Sequence, residues 1–470
     1  MPFNSFGFIL AFLPVTLVGF FVLGRWHHRW AALWLVAAST GFYAAWRLPD
    51  TLLLIGSIGF NFAAGSAISK AGAGPSGRAV FAAAVAANLG VLGVFKYWDF
   101  LASVTGMPKV GLVLPLGISF FSITQIAYLA DARAGLAQER DLLRYTLFVT
   151  FFPHLVAGPI VHHAQLMPQF ALPSVYQLNL ANLARGVALF TFGLAKKVLV
   201  ADRLALLADP AFEAAMVGGT PGLVQAWTGL LAFTFQIYFD FSGYSDMAVG
   251  LARMFGIELP VNFDRPYRAL NLVDFWRRWH ITLSAFLRDY LFFPLGANRR
   301  GELRGYANLI ATMAIAGLWH GANWTFLLWG TLHGVLLAAT HAWLRAKRLM
   351  WRREPLRVGR GVASVLTFAV VTLMWAPFRA GSWDPCANLL LAMAGQRADG
   401  SPFVPNRTQF VTLAGSAVLA TIGPAASRLV DDWSVDTGWR GPALASIAGL
   451  LLASCILSLR ETTQFVYFQF

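Results

Sequence analysis

Apolar stretches of about twenty residues recur along the whole chain, and that length is what an α-helix needs to cross a lipid bilayer. Two of them, 222–252 and 306–344, are long enough to be broken or paired helices. The pattern predicts an all-α integral membrane protein with roughly eleven to thirteen membrane segments. The candidate spans lie at about 3–23, 30–47, 49–68, 79–97, 110–130, 145–164, 186–201, 222–252, 306–344, 361–378, 409–430 and 441–459.

The charge content also indicates an integral membrane protein. Only 12% of the 470 residues are charged and 57% are hydrophobic, whereas a soluble globular chain carries about 25% charged residues. So few charges cannot cover a surface that faces water on all sides. The first apolar run lacks a basic region before it and a small-residue cleavage site after it, so it is predicted to be a retained span and not a signal peptide.

Lysine and arginine collect in three connections, at 25–29, 70–78 and 345–360. Because cytoplasmic loops carry an excess of these residues, we predict that the three connections face the cytoplasm and the N-terminus the opposite side. The formal net charge of +14 then reflects loops beside anionic lipid heads. Binding of nucleic acid is disfavoured, because the basic residues lie between membrane spans. We expect a membrane core over 1–378 and further membrane segments of the same domain over 379–470.

A polar segment at 262–301 contains aromatic anchors mixed with arginines. Its middle part, 274–295, has the pattern of a helix that lies in or near the membrane interface. On one such helix His280, Ser284 and Arg288 would share a face. That face could bind a phosphate, a thioester carbonyl or a sugar. Alternatively, Arg277 and Arg288 of this segment extend only to the lipid head groups.

The second polar feature is the sequence LWHGANWTFLLWG, which begins at Leu318. Its glycines and Asn323 allow helices to approach closely or to break, and irregular backbone at membrane depth is tolerated where it lines a cavity. An ionisable residue such as His320 in this setting is a candidate functional residue. The alternative is a core histidine that donates to a carbonyl. For His333, in a more ordinary helix, the structural alternative is favoured.

A neutral imidazole is suited to take a proton from a hydroxyl near neutral pH, and burial keeps the ring neutral. Two histidines then suggest transfer of an activated acyl group to a hydroxyl, one acting as base and the other as orienter or second proton carrier. Other chemistries lack their motifs. The chain has no HExxH, GxxxxGK[ST], GxSxG or CxxC, and none of its nine histidines begins an HxxxxD. No metal site is predicted.

Three long motifs carry a family resemblance: FTFQIYFDFSGYSDMAVGLARMFGIELPVNFDRPYRA, FWRRWHITLSAFLRDYLFFPLGANRRG and GLWHGANWTFLLWGTLHG. They resemble the membrane-bound O-acyltransferase (MBOAT) family, in the branch with the membrane subunit of alginate O-acetyltransferase and the D-alanyl transfer protein of teichoic acid modification. The resemblance extends to about Phe378. It implies a helical membrane fold around a central tunnel, with short interfacial or re-entrant helices.

By motif, His320 matches the essential histidine of that family and His280 matches the second one. We therefore predict that these two are catalytic, and that Ser284, Arg288, Asn323 and Asp240 bind substrate or line the tunnel. For Asp240 a structural role, such as capping or pairing with an arginine, is the stronger alternative.

The resemblance implies a multi-pass protein of the bacterial inner membrane with no bound cofactor. Its donor would be acetyl-CoA or another acyl thioester, and its acceptor an exported polysaccharide, alginate first. A periplasmic or membrane-anchored esterase-like acetyltransferase would complete the transfer. The alternatives are D-alanyl transfer to teichoic acid, acetylation of another glycan such as cellulose or peptidoglycan, and a transporter without covalent chemistry.

Overall fold

The computed structural model describes residues 1–137, 139–350, 359–396, 403–431, 440–459 and 465–466. Within these ranges every regular element is helical and no β-strand occurs. Six helices are long and apolar enough to cross a membrane, so the prediction of an all-helical, multi-pass membrane protein is confirmed; the larger number of segments stays a prediction. The six are Phe8–Trp26, Leu48–Ala71, Pro75–Thr105, Trp324–Lys347, Arg360–Ala380 and Gly441–Ser458.

The chain forms two compact units. The first comprises Met1–Ala195, Gly243–Val261 and the C-terminal part from Ala426 onward. Its α-helices are Leu13–Trp26, His28–Ala44, Leu48–Ala71, Pro75–Leu92, Trp98–Thr105, Ile118–Arg133, Leu142–Thr150, Phe152–Leu155, His163–Phe170, Leu180–Ala195, Ala426–Asp431 and Arg440–Ser458, with π-helical turns at Phe8–Phe12 and Gly93–Tyr97 and a 3-10 turn at Pro173–Tyr176.

The second unit comprises Lys196–Ser242 and Asn262–Ala425, and it contains all six predicted site residues. The 32-residue helix Leu223–Met254 passes from this unit into the first. The other helices of the second unit are Asp202–Met216, Leu272–Trp276, Ile281–Leu287, Glu302–His320, Trp324–Met350, Arg360–Ala380, Trp383–Met393 and Arg407–Thr421, with π-helical turns at Lys196–Ala201 and Arg288–Phe292 and a 3-10 turn at Pro266–Arg268.

Some predicted spans do not form a single helix: 409–430 contains most of the two helices Arg407–Thr421 and Ala426–Asp431, and 145–164 is divided further. Residues 145–164 contain the end of the helix Leu142–Thr150 and the short helix Phe152–Leu155, and they reach the start of a third helix at His163. Two prolines lie inside this stretch, at 153 and 159, and proline cannot continue the hydrogen bonding of a helix interior. Apolar character alone therefore overstates helix length here.

The two long candidates behave differently from each other. The stretch at 222–252 is one unbroken helix, whereas 306–344 is a hairpin of the helices Glu302–His320 and Trp324–Met350, broken at 321–323. The hairpin helices meet backbone to backbone, because a Cβ added to Gly330 would lie 2.2 Å from the carbonyl oxygen of Met313 and 2.9 Å from the Cα of Gly317. This is the close approach that small residues permit between membrane helices.

A buried ion group also lies in the second unit. The side chain of Lys197, in the π-helical turn, is 1% exposed, and its Nζ lies 2.8 Å from Asp240 Oδ1 and 2.9 Å from Asp202 Oδ1. Buried charges persist only when they are paired, because removal from water costs several kcal/mol per ion. The pair therefore joins the turn to the long helix Leu223–Met254.

We expect Gly330→Ala to destabilise the protein by about 1–3 kcal/mol, because the new methyl group overlaps backbone atoms of the facing helix. Gly415→Ala is the matched control: Gly415 lies in the helix Arg407–Thr421 with open space around the new Cβ. The thermal unfolding midpoint of the detergent-purified variants measures the difference. Equal midpoints for both variants would contradict the tight contact.

We expect Lys197→Met to lower the free energy of unfolding by about 3–5 kcal/mol, because it leaves Asp240 buried without its cation. The double variant Lys197→Met, Asp240→Leu removes both charges and should recover most of that loss. Denaturant unfolding in detergent micelles compares the two. If the double variant is as unstable as the single one, the pairing does not account for the effect.

Candidate active site

His320 is the last residue of the helix Glu302–His320, at the break in the hairpin. Gly321 ends the helix in an extended conformation, and a Cβ on it would meet the ring of Phe326 at 2.2 Å. His320 is 5% exposed and contacts three aromatic rings edge-on, with centroids 5.0 Å away for Trp319, 5.2 Å for Trp329 and 5.4 Å for Phe378. The break therefore holds an imidazole inside an aromatic wall.

His280 does not continue a helix. The predicted helix at 274–295 is interrupted, because His280 has the left-handed backbone conformation, with φ of 44°, and precedes the helix Ile281–Leu287. The segment at 262–264 pairs with this interruption: the amide of Ile281 donates to the carbonyl of Asn262 at 3.0 Å. Consequently His280 is fully buried while Arg288 is exposed, so the predicted common face is not formed.

The immediate partner of His280 is a side-chain amide. Asn262 Oδ1 lies 3.1 Å from His280 Nδ1 and 3.2 Å from the backbone nitrogen of Thr282. The ring of Phe241 packs edge-on at 4.8 Å between centroids. Burial lowers the pKa of His280 well below its ordinary value, so the imidazole is neutral at neutral pH.

The histidines belong to one aromatic cluster, which we call the histidine cluster. The ring of Trp319 contacts both His280, at 6.3 Å, and His320, at 5.0 Å between centroids. The ring of Trp329 contacts His320 at 5.2 Å and His333 at 4.8 Å. The structure therefore brings the two predicted catalytic histidines into contact with one tryptophan, Trp319. A third histidine, His333, joins the cluster through Trp329.

His333 is fully buried, one turn after Trp329 on the same helix. The indole nitrogen of Trp276 lies 3.3 Å from His333 Nδ1. The other ring nitrogen, Nε2, has no hydrogen-bond partner among the residues that the structure describes. A buried donor without an acceptor costs about 1–3 kcal/mol, which is unusual for a purely structural histidine.

Ser284 and Arg288 lie elsewhere, on a pocket of about 900 Å³ that we call the arginine pocket. Three arginines line it: Arg288 pairs with Asp289 at 2.7 Å, Arg345 pairs with Glu302, and Arg277 makes no ion pair within the described ranges. The hydroxyl of Ser284 is buried there, also without a described hydrogen-bond partner. The pocket therefore offers a cationic wall and a hydroxyl group.

Trp276 belongs to both the arginine pocket and the histidine cluster. It lines the arginine pocket, and its indole nitrogen bonds His333 in the histidine cluster. Its ring also lies 5.9 Å from that of Trp329. Neither His280 nor His320 is among the residues that line the pocket.

Asn323 and Asp240 have defined local contacts. The side chain of Asn323 accepts from the amide of Thr325 at 3.2 Å and donates to the carbonyl of Gly381, so it joins the hairpin break to the end of the helix Arg360–Ala380. Asp240 is 1% exposed and holds Lys197. The expected pairing of Asp240 with an arginine is replaced by pairing with a lysine.

Sequence reasoning missed three residues of this region. No site role was predicted for Asn262 or Lys197, and Trp276 was predicted only to be one of the aromatic anchors of a helix. Asn262 lies 18 residues before its partner His280, and Trp276 lies 57 residues before His333. No helical period connects such distances, so the only available signal was their position inside long motifs.

The arrangement suits proton transfer in a dry environment. Neutral imidazoles can accept a proton from a hydroxyl, and a wall of aromatic rings excludes water that would compete with the acceptor. The arginine pocket suits an anionic group such as a phosphate, since guanidinium groups bind phosphate oxygens through paired hydrogen bonds.

The chain is similar in sequence to known proteins. The sequence model of the membrane-bound O-acyltransferase family matches residues 91–375, more than half of the chain. A peptidoglycan O-acetyltransferase of Helicobacter pylori is 42% identical over 84% of this chain and 80% of its own length. A probable alginate O-acetylase of Pseudomonas putida is 36% identical over the full length of both chains. A teichoic acid D-alanyltransferase of Streptococcus thermophilus is 29% identical over 50% of this chain and 58% of its own.

The match covers the histidine cluster and the arginine pocket, and the relatives are similar over most of the chain. The chain therefore belongs to the membrane-bound O-acyltransferase family, and it is a multi-pass membrane O-acyltransferase.

Proposed function

We propose that this enzyme moves an acetyl group from a cytoplasmic donor to hydroxyls of an exported polysaccharide, with His320 as the general base and His280 assisting. The observation that carries the proposal is the position of His320, a buried imidazole at the break of the hairpin, in contact with the same tryptophan as His280. A base takes a proton from a hydroxyl more effectively where competing water is kept away, and the aromatic rings around His320 provide that shielding.

Alginate is the first candidate acceptor, because the chain is similar over its full length to a relative named as a probable alginate O-acetylase. Peptidoglycan is the second, since a relative with that named acceptor has the higher identity of 42%. Both acceptors present sugar hydroxyls, so the same base chemistry serves either one. D-alanyl transfer is less favoured, because the relatives with that activity match about half of the chain.

The arginine pocket is the site that we propose for the donor, which is acetyl-CoA or another acyl thioester. Such donors carry phosphate groups, and Arg277, Arg288 and Arg345 supply the opposite charge. The hydroxyl of Ser284 adds a hydrogen-bonding group at the same wall. The donor is a substrate, so the proposal includes no resident cofactor.

The proposed cellular setting is the bacterial inner membrane. Roughly eleven to thirteen segments around a central tunnel would give the acetyl group a path from the cytoplasmic side to the outer side. A periplasmic or membrane-anchored esterase-like acetyltransferase would then pass it to the polysaccharide.

We expect His320→Ala to reduce O-acetylation of the exported polysaccharide by about 10²–10⁴-fold, because the variant lacks its general base. The measurement is the O-acetyl content of alginate and, separately, of peptidoglycan from cells that carry each variant. The amount of membrane-inserted protein is matched by immunoblot.

The control is His27→Ala, which removes an exposed histidine from the first unit. It should keep wild-type acetylation. If His320→Ala also keeps it at equal protein level, His320 is not the base. If neither polymer is acetylated by the wild type, the acceptor is a different one, and solute flux without acetylation would favour a transporter.

We expect Arg277→Gln to raise the apparent KM for acetyl-CoA about tenfold, because a lost charge-assisted contact to phosphate is worth about 1.4 kcal/mol or more. The value of kcat should change little, since Arg277 is outside the histidine cluster. Arg25→Gln, in the last turn of the helix Leu13–Trp26 of the first unit, is the matched control. An unchanged KM for Arg277→Gln would remove the donor from this pocket.

A further inference from the structure

We propose that Asn262 and Trp276 are positioning residues that hold His280 and His333 in opposite neutral tautomers. The Nε2 atom of His280 carries the lone pair and can accept a proton. The Nε2 atom of His333 carries a proton and can only donate. The inference rests on the proposed function for its catalytic meaning, while the tautomers themselves follow from hydrogen bonding.

The tautomer of His280 follows from a backbone amide. The N–H of Thr282 can only donate, and it points at Asn262 Oδ1 across 3.2 Å; the hydroxyl of Thr282 lies 3.0 Å from the same atom. That end of the Asn262 side chain is therefore the carbonyl oxygen, which can only accept. Since His280 Nδ1 lies 3.1 Å from this oxygen, Nδ1 must carry the ring proton. A neutral ring then keeps its lone pair on Nε2.

The tautomer of His333 follows from an indole. The Nε1–H of tryptophan is a donor and never an acceptor, so the 3.3 Å contact from Trp276 requires His333 Nδ1 to accept. The ring proton of His333 is thereby on Nε2. That N–H is buried without an acceptor within the described ranges, so an oxygen atom of a bound substrate or a water molecule would satisfy it.

These assignments give the two histidines different parts in acyl transfer. The acceptor O–H bond breaks and its proton passes to a neutral imidazole, while a bond forms between the acceptor oxygen and the acyl carbon. The C–S bond of the thioester breaks, and the thiolate takes the proton from the imidazolium. With His320 as the base that takes the proton from the hydroxyl, the Nε2 of His280 is prepared to receive that proton as the second carrier, and the Nε2–H of His333 to stabilise developing negative charge on an oxygen.

The elements around His280 carry paired charges and also Arg277, which makes no ion pair within the described ranges. Asp264, on the segment that carries Asn262, contacts Arg265 at 3.1 Å and Arg278 at 3.9 Å. Asp240 precedes Phe241 and holds Lys197. His320, beside Trp319, is a further titratable group in the cluster. A carboxylate at position 262 would therefore be a new charge at the ring of His280.

The test is the pH profile of acetyl transfer by the reconstituted full-length protein. In Asn262→Asp a carboxylate accepts from Nδ1–H and favours the imidazolium, which raises the pKa of His280 by about 1–3 units. A group that must be neutral is lost as pH falls through its pKa. The acidic limb of the rate should therefore move to higher pH, with activity returning once the pH exceeds the raised pKa.

Two further variants separate positioning from folding. Asn262→Leu should lower kcat at every pH, because nothing then fixes the tautomer or the ring. Trp276→Phe keeps the ring packing but lets His333 adopt either tautomer, so kcat should fall several-fold while the acidic limb stays in place. If the acidic limb of the rate for Asn262→Asp lies at the wild-type pH, or if the rate falls equally at all pH values, Asn262 has a structural role and the proposal fails.

A second readout does not depend on activity. In ¹⁵N solid-state NMR of histidine-labelled wild type, the signals that disappear in His280→Gln should show protonated Nδ1 and bare Nε2. Those that disappear in His333→Gln should show the reverse. The same tautomer at both residues overturns the inference. If opposite tautomers are seen while His320→Ala keeps full acetylation, the proposed function fails and the hydrogen-bond assignment stands.

Discussion

The backbone contact between Gly317 and Gly330 is the constraint on which the histidine cluster depends. It brings the helix that ends at His320 against the helix that carries Trp329 and His333, at a distance that no side chain would allow. Because the two helices are joined by only three residues, this contact also determines where the chain must break. A wider hairpin would separate His320 from Trp329 and open the aromatic wall to water.

Several polar groups in and around this wall are tolerated because each has a specific partner. Asn262 serves His280 and Thr282, Asn323 joins the hairpin break to Gly381, and Lys197 neutralises Asp240. In a low-dielectric interior an unmatched polar group costs several times more than a matched pair contributes. The exceptions are therefore informative, and among the described residues they include the Nε2–H of His333, the indole nitrogen of Trp329 and the hydroxyl of Ser284.

The sequence predicts the architecture well where one local rule is sufficient. Apolar length identifies membrane helices, and the spacing of Gly317, Gly321 and Gly330 predicts a close approach and a break. It fails where distant segments decide the local conformation. The helix expected at 274–295 is interrupted because the segment of Asn262 pairs with the backbone after His280, and that pairing has no period in the sequence.

The same limit applies to the site. The choice of His280 and His320 came from motif resemblance and from the cost of burying an imidazole, and the structure adds that both contact Trp319. Ser284 and Arg288 were expected beside His280, yet the left-handed residue turns the chain and sends them to the arginine pocket. A single φ angle thus separates a group of residues that one helix would have kept together.

The arginine pocket and the histidine cluster are separate sites, and Trp276 belongs to both of them. It is a wall of the arginine pocket and the hydrogen-bond donor to His333, so any ligand that moves this indole also changes the partner of a histidine in the cluster. A rigid indole keeps the tautomer of His333 fixed whether or not the pocket is filled, whereas a displaced one frees Nδ1. A change in the arginine pocket can thereby reach the histidine cluster through the hydrogen bond between Trp276 and His333. No charged group has to cross the aromatic wall.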